Sequence, residues 1–433
     1  MTRRQAAIGE ALLEARPFPE LMTSYSDPAL EIIKVTDDDR QFSHTSGIGD
    51  QCFRMFTKDS SRMVFSRETA VGRQYWLCEL EDQLKIRRLT DVGARSAVLN
   101  ADDSFLYYFV DQVDRSPVRI LLQRISLRDF RTETVQVFDT KINGVGRMPI
   151  GGNRFGNLSG DGRTLASGFS FATKGDERAY YAPIFIDLDT FKIWGFDWEW
   201  YCWRAGGSYY MGSDPDKSHH LLMGKFHRDQ FVSDGPGWQD DIHRVTMHVV
   251  NDQGEMIGTI PMGGEGEGVD HAGWRGGRYE VVMHSVLIQP DTHLRMGIVG
   301  AAPVACPLEQ VYDGNKIVGG QRYEMTRKIF RPECCHMSWN MAGNHLVSNT
   351  EGYDKLYNTY LWLGTVMEKD GNDPEIIPKH LLHTKTSWTQ YNYWCVDSPA
   401  LSPDERTVFF NSDYLSKPGH PQLCCVRGFS FPK

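Results

Sequence analysis

A chain of 433 residues with a net charge of −9 does not offer its surface as a whole to nucleic acid or an anionic membrane. An acidic ligand would need a local cationic pocket. The hydrophobic share of 40 % and charged share of 24 % are ordinary globular proportions, and 12 % aromatics suit an all-β protein packing many sheet faces. No apolar run reaches the roughly eighteen residues needed to span a bilayer.

In chain order, Met1-Thr2-Arg3-Arg4 leads into Gln5 to Ala15, where Glu10 and Glu14 interrupt a weakly apolar stretch. That is too polar for a signal-peptide core and predicts a short surface helix. The expected division is an N-terminal helical extension over 1–20 and one domain over 21–433. The nine cysteines are scattered, with adjacent pairs at Cys334-Cys335 and Cys424-Cys425 and no C-x-x-C spacing. They read as unpaired thiols in a reduced, cytoplasmic protein.

EIIKVT from Glu31 reads as an early strand able to pair with the last strands near Leu423 to Phe431 and close a ring. Then one pattern recurs seven times: a strand ends in a polar turn and returns as a second apolar strand. The segments are FTKDSSRMVFS from Phe56, LNADDSFLYYF from Leu99, LSGDGRTLASG from Leu158 and MGSDPDKSHHLLMG from Met211. WRGGRYEVVMH from Trp274, WNMAGNHLVSN from Trp339 and LSPDERTVFFN from Leu401 complete the series. Asp and Gly at the tips supply turn conformations, and the residues that follow alternate with the period of half-buried strands. Spacings of about forty to seventy residues leave room for four strands each. The expected fold is all-β, a seven-bladed β-propeller, with an ordinary pair of β-sandwiches as the competing architecture.

In such a ring the first residues of each inner strand surround a central opening. Counting back from each tip gives Phe53, Ser96, Phe155, Tyr209, His271, His336 and Ser398, within one or two residues. His271 in GVDHAGW and His336 in ECCHMSW hold matching positions and could bind a metal or a carboxylate, though a histidine at a strand start is more often structural. Arg154 in GGNRFGN and Arg204 in WYCWRAGG are candidate carboxylate anchors, against the simpler reading of surface ion pairs. His44 in QFSHTSG precedes the first blade's strand and reads as a channel-mouth or plain loop histidine. Trp194, Trp198, Trp200 and Trp203 could form a sugar-stacking wall or ordinary core. His219-His220 reads as an outer-strand feature without chemistry. No G-x-S-x-G, P-loop, G-x-G-x-x-G or H-E-x-x-H pattern occurs.

The chain resembles the oligogalacturonate lyase family, seven-bladed propellers that cleave short pectin fragments by β-elimination. SYSDPALEIIKVTDD with QCFRMFTKDSSRMVFS is similar to that family's opening strand and first blade. HVVNDQGEMI leading to GEGVDHAGW is similar to the stretch that delivers a metal-binding histidine, here His271. ECCHMSWNMAG, HTKTSW and SPALSPDERTVFFNSD are similar to its last two blades. The resemblance implies a divalent metal, manganese or calcium, with His271 and His336 as ligands. One motif departs: where the family carries Gln-x-x-His-x-His, this chain has Tyr393, Val396 and Ser398. The family's fourth-blade catalytic histidine has no match near Gly207. Related propeller lyases acting on rhamnose-linked glucuronate use histidine, tyrosine and arginine without a metal, and Tyr209, Tyr391, Tyr393, Arg154 and Arg204 fit that pattern.

The expected activity is a lyase cleaving uronic-acid oligosaccharides, with His44, Arg154, Arg204 and Tyr209 as catalytic candidates. A small acidic oligosaccharide is the expected partner, with no nucleic acid and no membrane. The alternative is a non-catalytic or repurposed propeller that binds carbohydrate or protein.

Overall fold

The structure, a computed structural model, describes the chain apart from residues 1–5, 39–41, 46–53, 81–83, 113–117, 152–155, 172–179, 197–207, 227–244, 261–266, 289–294, 304–311, 314–315, 318–322, 325–333, 351–359, 370–371 and 388–397. It is an all-β propeller of antiparallel sheets. Helix among the described residues is confined to short 3-10 turns such as Pro19–Leu21 and Pro215–Lys217. None of it is long and apolar enough to cross a membrane.

The first sheet pairs Phe42–His44, Arg62–Thr69, Gly72–Glu79 and Lys85–Arg88 in that order. Further sheets open with Ala94–Leu99, with Pro149–Gly151 and Gly156–Leu158 end to end along Thr164–Phe171, and with Ser208–Tyr209. The next two open with Glu267–Trp274 and Cys334–Trp339. The last opens with Ala400–Leu401 and runs outward through Val408–Ser412 and Gln422–Arg427. There Glu31–Lys34 joins it, with Ile32 opposite Val426, so both ends of the chain share one sheet as the sequence predicts.

The repeated turn has one chemical recipe. Asp59 Oδ1 accepts from Thr57 Oγ1 at 2.6 Å and Ser61 N at 2.9 Å, which holds its carboxyl down at about 2. Asp161 does the same for Ser159 Oγ and Arg163 N, and Asp404 for Ser402 Oγ and Arg406 N. The residue two before the Asp then accepts from the backbone five positions on: Arg62 N, Thr164 N and Thr407 N donate to Thr57, Ser159 and Ser402. Each turn spends its polar groups locally, so the strands leave it in fixed register. Asn100 and Asn340 play the same part in their sheets, accepting from Phe105 N and His345 N.

Those turns touch in sequence around one end of the molecule. Lys58 N donates to Asp103 Oδ2, Gly160 N to Ser218 O, Tyr210 Oη to Gly277 O and Gly277 N to Met341 O. Asn340 Nδ2 reaches Glu405 Oε1, and Asp404 N donates to Ser60 Oγ, which returns to the first turn. At Gly162 an added Cβ would stand 2.3 Å from the Cβ of Ala101, so the second and third turns meet there too. The chain of contacts is closed.

Hydrophobic cores lie between sheets. Phe65 and Trp76 of the first pack with Phe409, Leu423 and Cys425 of the last. Phe109, Phe138 and Phe169 meet edge-on or tilted between the second and third. Thr164–Phe171 is buried along its whole length because a sheet covers each face.

Among the described residues 6–20 the predicted N-terminal helix is not found. Ala11–Leu12 pairs with the outer strand Lys85–Arg88 of the first sheet, and Arg16–Pro17 pairs with Glu31–Lys34 on the last. The segment is thus built into two sheets. Open sheet edges offer backbone partners along both strands, and this outweighs a weak helical period.

Candidate functional site

The first strand of each sheet lines the centre. Leu401 N donates to Ser338 Oγ across the last two inner strands at 3.1 Å, and Trp274 Nε1 donates to Ser208 O at 2.7 Å. The antiparallel turns occupy one end of the opening, so the inner strands begin at the other. Several of these beginnings are irregular. Register shifts fall between Arg95 and Val98, between Val269 and His271, and between Cys334 and Met337. A bulge re-aims side chains and releases backbone groups from the ladder.

The sequence-predicted positions Ser96, His271 and His336 sit at these three bulges. Ser96 has φ of 51°, a left-handed conformation uncommon outside glycine. His336 is buried; its N–H donates to Asn349 Oδ1 at 2.7 Å, and its carbonyl accepts from Ser348 Oγ at 3.0 Å. His271 lies in the neighbouring inner strand, in register opposite His284. Of the side chains of His271 and His44 the structure describes nothing.

Backbone contacts continue the arc. Thr45 donates its hydroxyl to Ser398 O at 2.6 Å and its N–H to Asn411 Oδ1 at 3.2 Å. This brings the strand end Phe42–His44 of the first sheet beside Ser398 of the last. His271, His336, Ser398 and His44 therefore belong to four successive inner strands at one end of the opening. The crossing segment 384–387 is tied beneath them: Ser412 Oγ donates to Thr384 O, Thr386 Oγ1 to Asn411 O and Ser387 N to Asp413 Oδ1. The Asp413 carboxylate, itself buried, also accepts from Gly419 N at 2.9 Å.

Tyr209 does not join this arc. Its ring lies in the core between the third and fourth sheets with Ala166, Phe185, Leu221, Met223 and Val250. Its hydroxyl is buried without a hydrogen-bond partner, and burial pushes the phenol well above its ordinary value. A ring and hydroxyl enclosed among apolar side chains have no access to a substrate in the opening, so Tyr209 is corrected to a packing residue. Its 2-periodic strand context gave no sign of which face it would take.

Arg154 and Arg204 fall outside the described residues, as do Phe53, Phe155, Gly207, Tyr391, Tyr393, Val396, Trp198, Trp200 and Trp203. Trp194 is described: it stacks on Phe185 and donates Nε1 to Asp252 O, a packing role rather than a sugar wall. His219-His220 lies in the hairpin before Leu221–Phe226, not on an outer strand. His219 is clamped between Asp252 and Asp161, at 2.7 and 3.0 Å.

One cation escaped the sequence reading. Arg95, beside Ser96, has a side chain 54 % exposed, and its Nε lies 3.9 Å from the nearly buried Asp111 Oδ2. That separation leaves its guanidinium free to take another carboxylate. Its adjacency to a predicted opening position was the available signal.

For a metal, the donor set is short. Among the described residues no three His, Cys, Asp or Glu side chains group to hold an ion. The position that follows His336 around the ring is Ser398, whose hydroxyl is a poor manganese ligand. Among the described residues these donors do not complete such a site.

No protein-family model matches the sequence, and no curated protein is significantly similar to it. Solved structures do match. An oligogalacturonate lyase in complex with manganese is 17 % identical, with a TM-score of 0.64 over 99 % of each chain. Oligogalacturonate lyase from Vibrio parahaemolyticus is 16 % identical, with a TM-score of 0.65 over 97 % of this chain and 98 % of that one. Hydrazine synthase of Kuenenia stuttgartiensis is 11 % identical, with a TM-score of 0.50 over 86 % of this chain and 94 % of the other. At such identities the likeness establishes the fold, a β-propeller, and nothing of the chemistry.

Proposed function

We propose that this protein is a lyase that cleaves uronic-acid oligosaccharides by β-elimination at the end of the propeller opening where the inner strands begin. The observation that carries this reading is the run of four successive inner strands bearing His271, His336, Ser398 and His44. The full-length likeness to two oligogalacturonate lyases supports it. We read the sheets as seven blades, supported by the closed succession of turn contacts. A cytoplasmic location belongs to the same reading.

In the reaction a base takes the C5 proton, alpha to the uronate carboxylate. The C5–H electrons form the C4–C5 double bond, the C4–O bond breaks, and the departing oxygen takes up a proton. The C5 proton is too weakly acidic unless the carboxylate charge is neutralised. Arg154, Arg204 and the exposed Arg95 are the guanidiniums assigned to that task, as bidentate partners. His44 is assigned as the base, a role suited to a group titrating near neutrality. His271 and His336 complete the neutralising wall, and no step is routed through a metal.

Ultraviolet absorbance of the unsaturated product tests the proposal. Oligogalacturonates and rhamnose–glucuronate oligosaccharides are incubated with the protein, with manganese, with calcium and with chelator. A rise with either substrate is expected, and indifference to chelator would favour the histidine–arginine chemistry. No rise with any substrate would leave the alternative, a propeller that binds carbohydrate or protein without cleaving it.

A further inference from the structure

His44, the proposed base, stands on an inner strand only three residues long, Phe42–His44. So short a strand makes few ladder bonds, and its place depends on what else grips it. On one side Ser43 N donates to Pro421 O at 2.8 Å, at the head of the last sheet's strand Gln422–Arg427. On the other, Ser43 lies opposite Arg67 and His44 opposite Ser66.

A line of polar side chains runs from that strand to the N-terminal segment. Ser43 is fully buried, and its Oγ accepts from Arg67 Nε at 3.2 Å. Arg67 Nη1 and Nη2 donate to the two carboxylate oxygens of Glu14, at 3.3 and 2.8 Å. The guanidinium also lies over the Trp76 ring at 4.8 Å. Glu14 Oε2 accepts in addition from Asp37 N at 3.2 Å. Glu14 sits between Ala11–Leu12 on the first sheet and Arg16–Pro17 on the last, so its backbone is held on both sides. With all three nitrogens engaged and its side chain 1 % exposed, Arg67 touches no substrate. Charge-assisted bonds of this kind are the strong ones, and a bidentate fork fixes direction as well as distance.

We infer, on the reading of His44 as the base, that Arg67 and Glu14 are positioning residues which set the His44 strand from outside the opening. Glu14 fixes the guanidinium plane, the guanidinium fixes Ser43, and Ser43 fixes the residue that follows it in the strand. The N-terminal segment thereby bears on the chemistry, because a misplacement of about 1 Å at a reacting group costs on the order of 100-fold in rate.

The test uses the full chain in two variants. Glu14→Gln breaks the far end of the relay, and Ser43→Ala removes only the hydroxyl at its near end. Turnover of oligogalacturonate or of rhamnose–glucuronate oligosaccharide should fall at least ten-fold in both. The Michaelis constant should stay within two-fold, because the base moves and the substrate contacts do not. Nuclear magnetic resonance of the histidine rings gives a readout independent of cleavage. The His44 signals, assigned by their loss in His44→Gln, should shift and titrate with a different midpoint, while those of His219 keep their parent positions. If Glu14→Gln does not fold, Ser43→Ala carries both readouts. Parent-like His44 signals, or parent-like turnover, in the folded variants would overturn the assignment. If the unaltered protein cleaves neither oligosaccharide, the lyase reading falls alone, and the His44 signals still decide whether the relay holds its strand.

Discussion

Glu14 Oε2 accepts from Arg67 Nη2 at 2.8 Å, and Glu14 Oε1 from Nη1 at 3.3 Å, so a carboxylate of the N-terminal segment closes over a guanidinium that is 1 % exposed. Arg67 also donates Nε to Ser43 Oγ and lies over the Trp76 ring at 4.8 Å. The ion pair joins the segment, which spans the first and last sheets, to the strand next to the innermost.

Removing one partner should therefore cost more than removing both. Glu14→Gln is expected to destabilise by about 3 kcal/mol, because it leaves a buried guanidinium without its counter-charge. The double variant Glu14→Gln, Arg67→Met should recover much of that loss. Urea unfolding of the four members of the cycle measures it, and additive losses would contradict the coupling.

His219 makes a pH-dependent brace. Its pKa is raised to about 9, first by the hydrogen bond to Asp252 and then by Asp161. The unfolded value is about 6.5, so the protonated brace contributes its full stability below that and loses it as pH rises through about 9. The melting temperature of His219→Gln should fall furthest below that of the parent near pH 6, and the gap should close by pH 10. A gap constant across that range would refute the assignment.

Tyr209→Phe separates packing from catalysis. Its hydroxyl is buried and has no partner, so deletion should leave stability unchanged or raise it by about 1 kcal/mol. Uronide cleavage should also be unaltered. A large loss of turnover in a stably folded variant would return Tyr209 to the active site.

Gly156 permits the second and third inner strands to meet. A Cβ there would stand 2.2 Å from Ser96 O, a backbone atom that cannot swing aside. Gly156→Ala should destabilise by about 1–3 kcal/mol through forced separation of the strands. Thermal melts and, if activity is found, the Michaelis constant would report both effects.

At the lyase site, His44→Ala should lower turnover by roughly 100-fold or more, the usual worth of a general base. Arg204→Ala and His336→Ala should each remove most of the rest. Initial rates of product absorbance at saturating substrate measure all three, and near-normal rates in Arg204→Ala and His336→Ala together would end the proposed site.

Much of the fold was written locally. The Thr-x-Asp, Asn-x-Asp and Ser-x-Asp turns satisfy their own polar groups within five residues, so each hairpin is legible from its own stretch of sequence. The alternation in EIIKVT likewise announced a strand able to pair with the chain's last strands, as Ile32 opposite Val426 does. The matching places of Ser96, His271 and His336 could be counted from those turns, and the bulges fall there.

Other features depend on what stands opposite. The segment around Ala11 is strand because two sheet edges lie within reach, which no local period records. Tyr209 faces the core rather than the opening because the neighbouring sheet presents Phe185 and Ala166 to it. Arg54 is remote in sequence from Ser159 and Met211, and only closure of the ring carries its guanidinium to them. Local hydrogen bonding is encoded within a few residues; burial and long-range contact are set by the whole assembled ring.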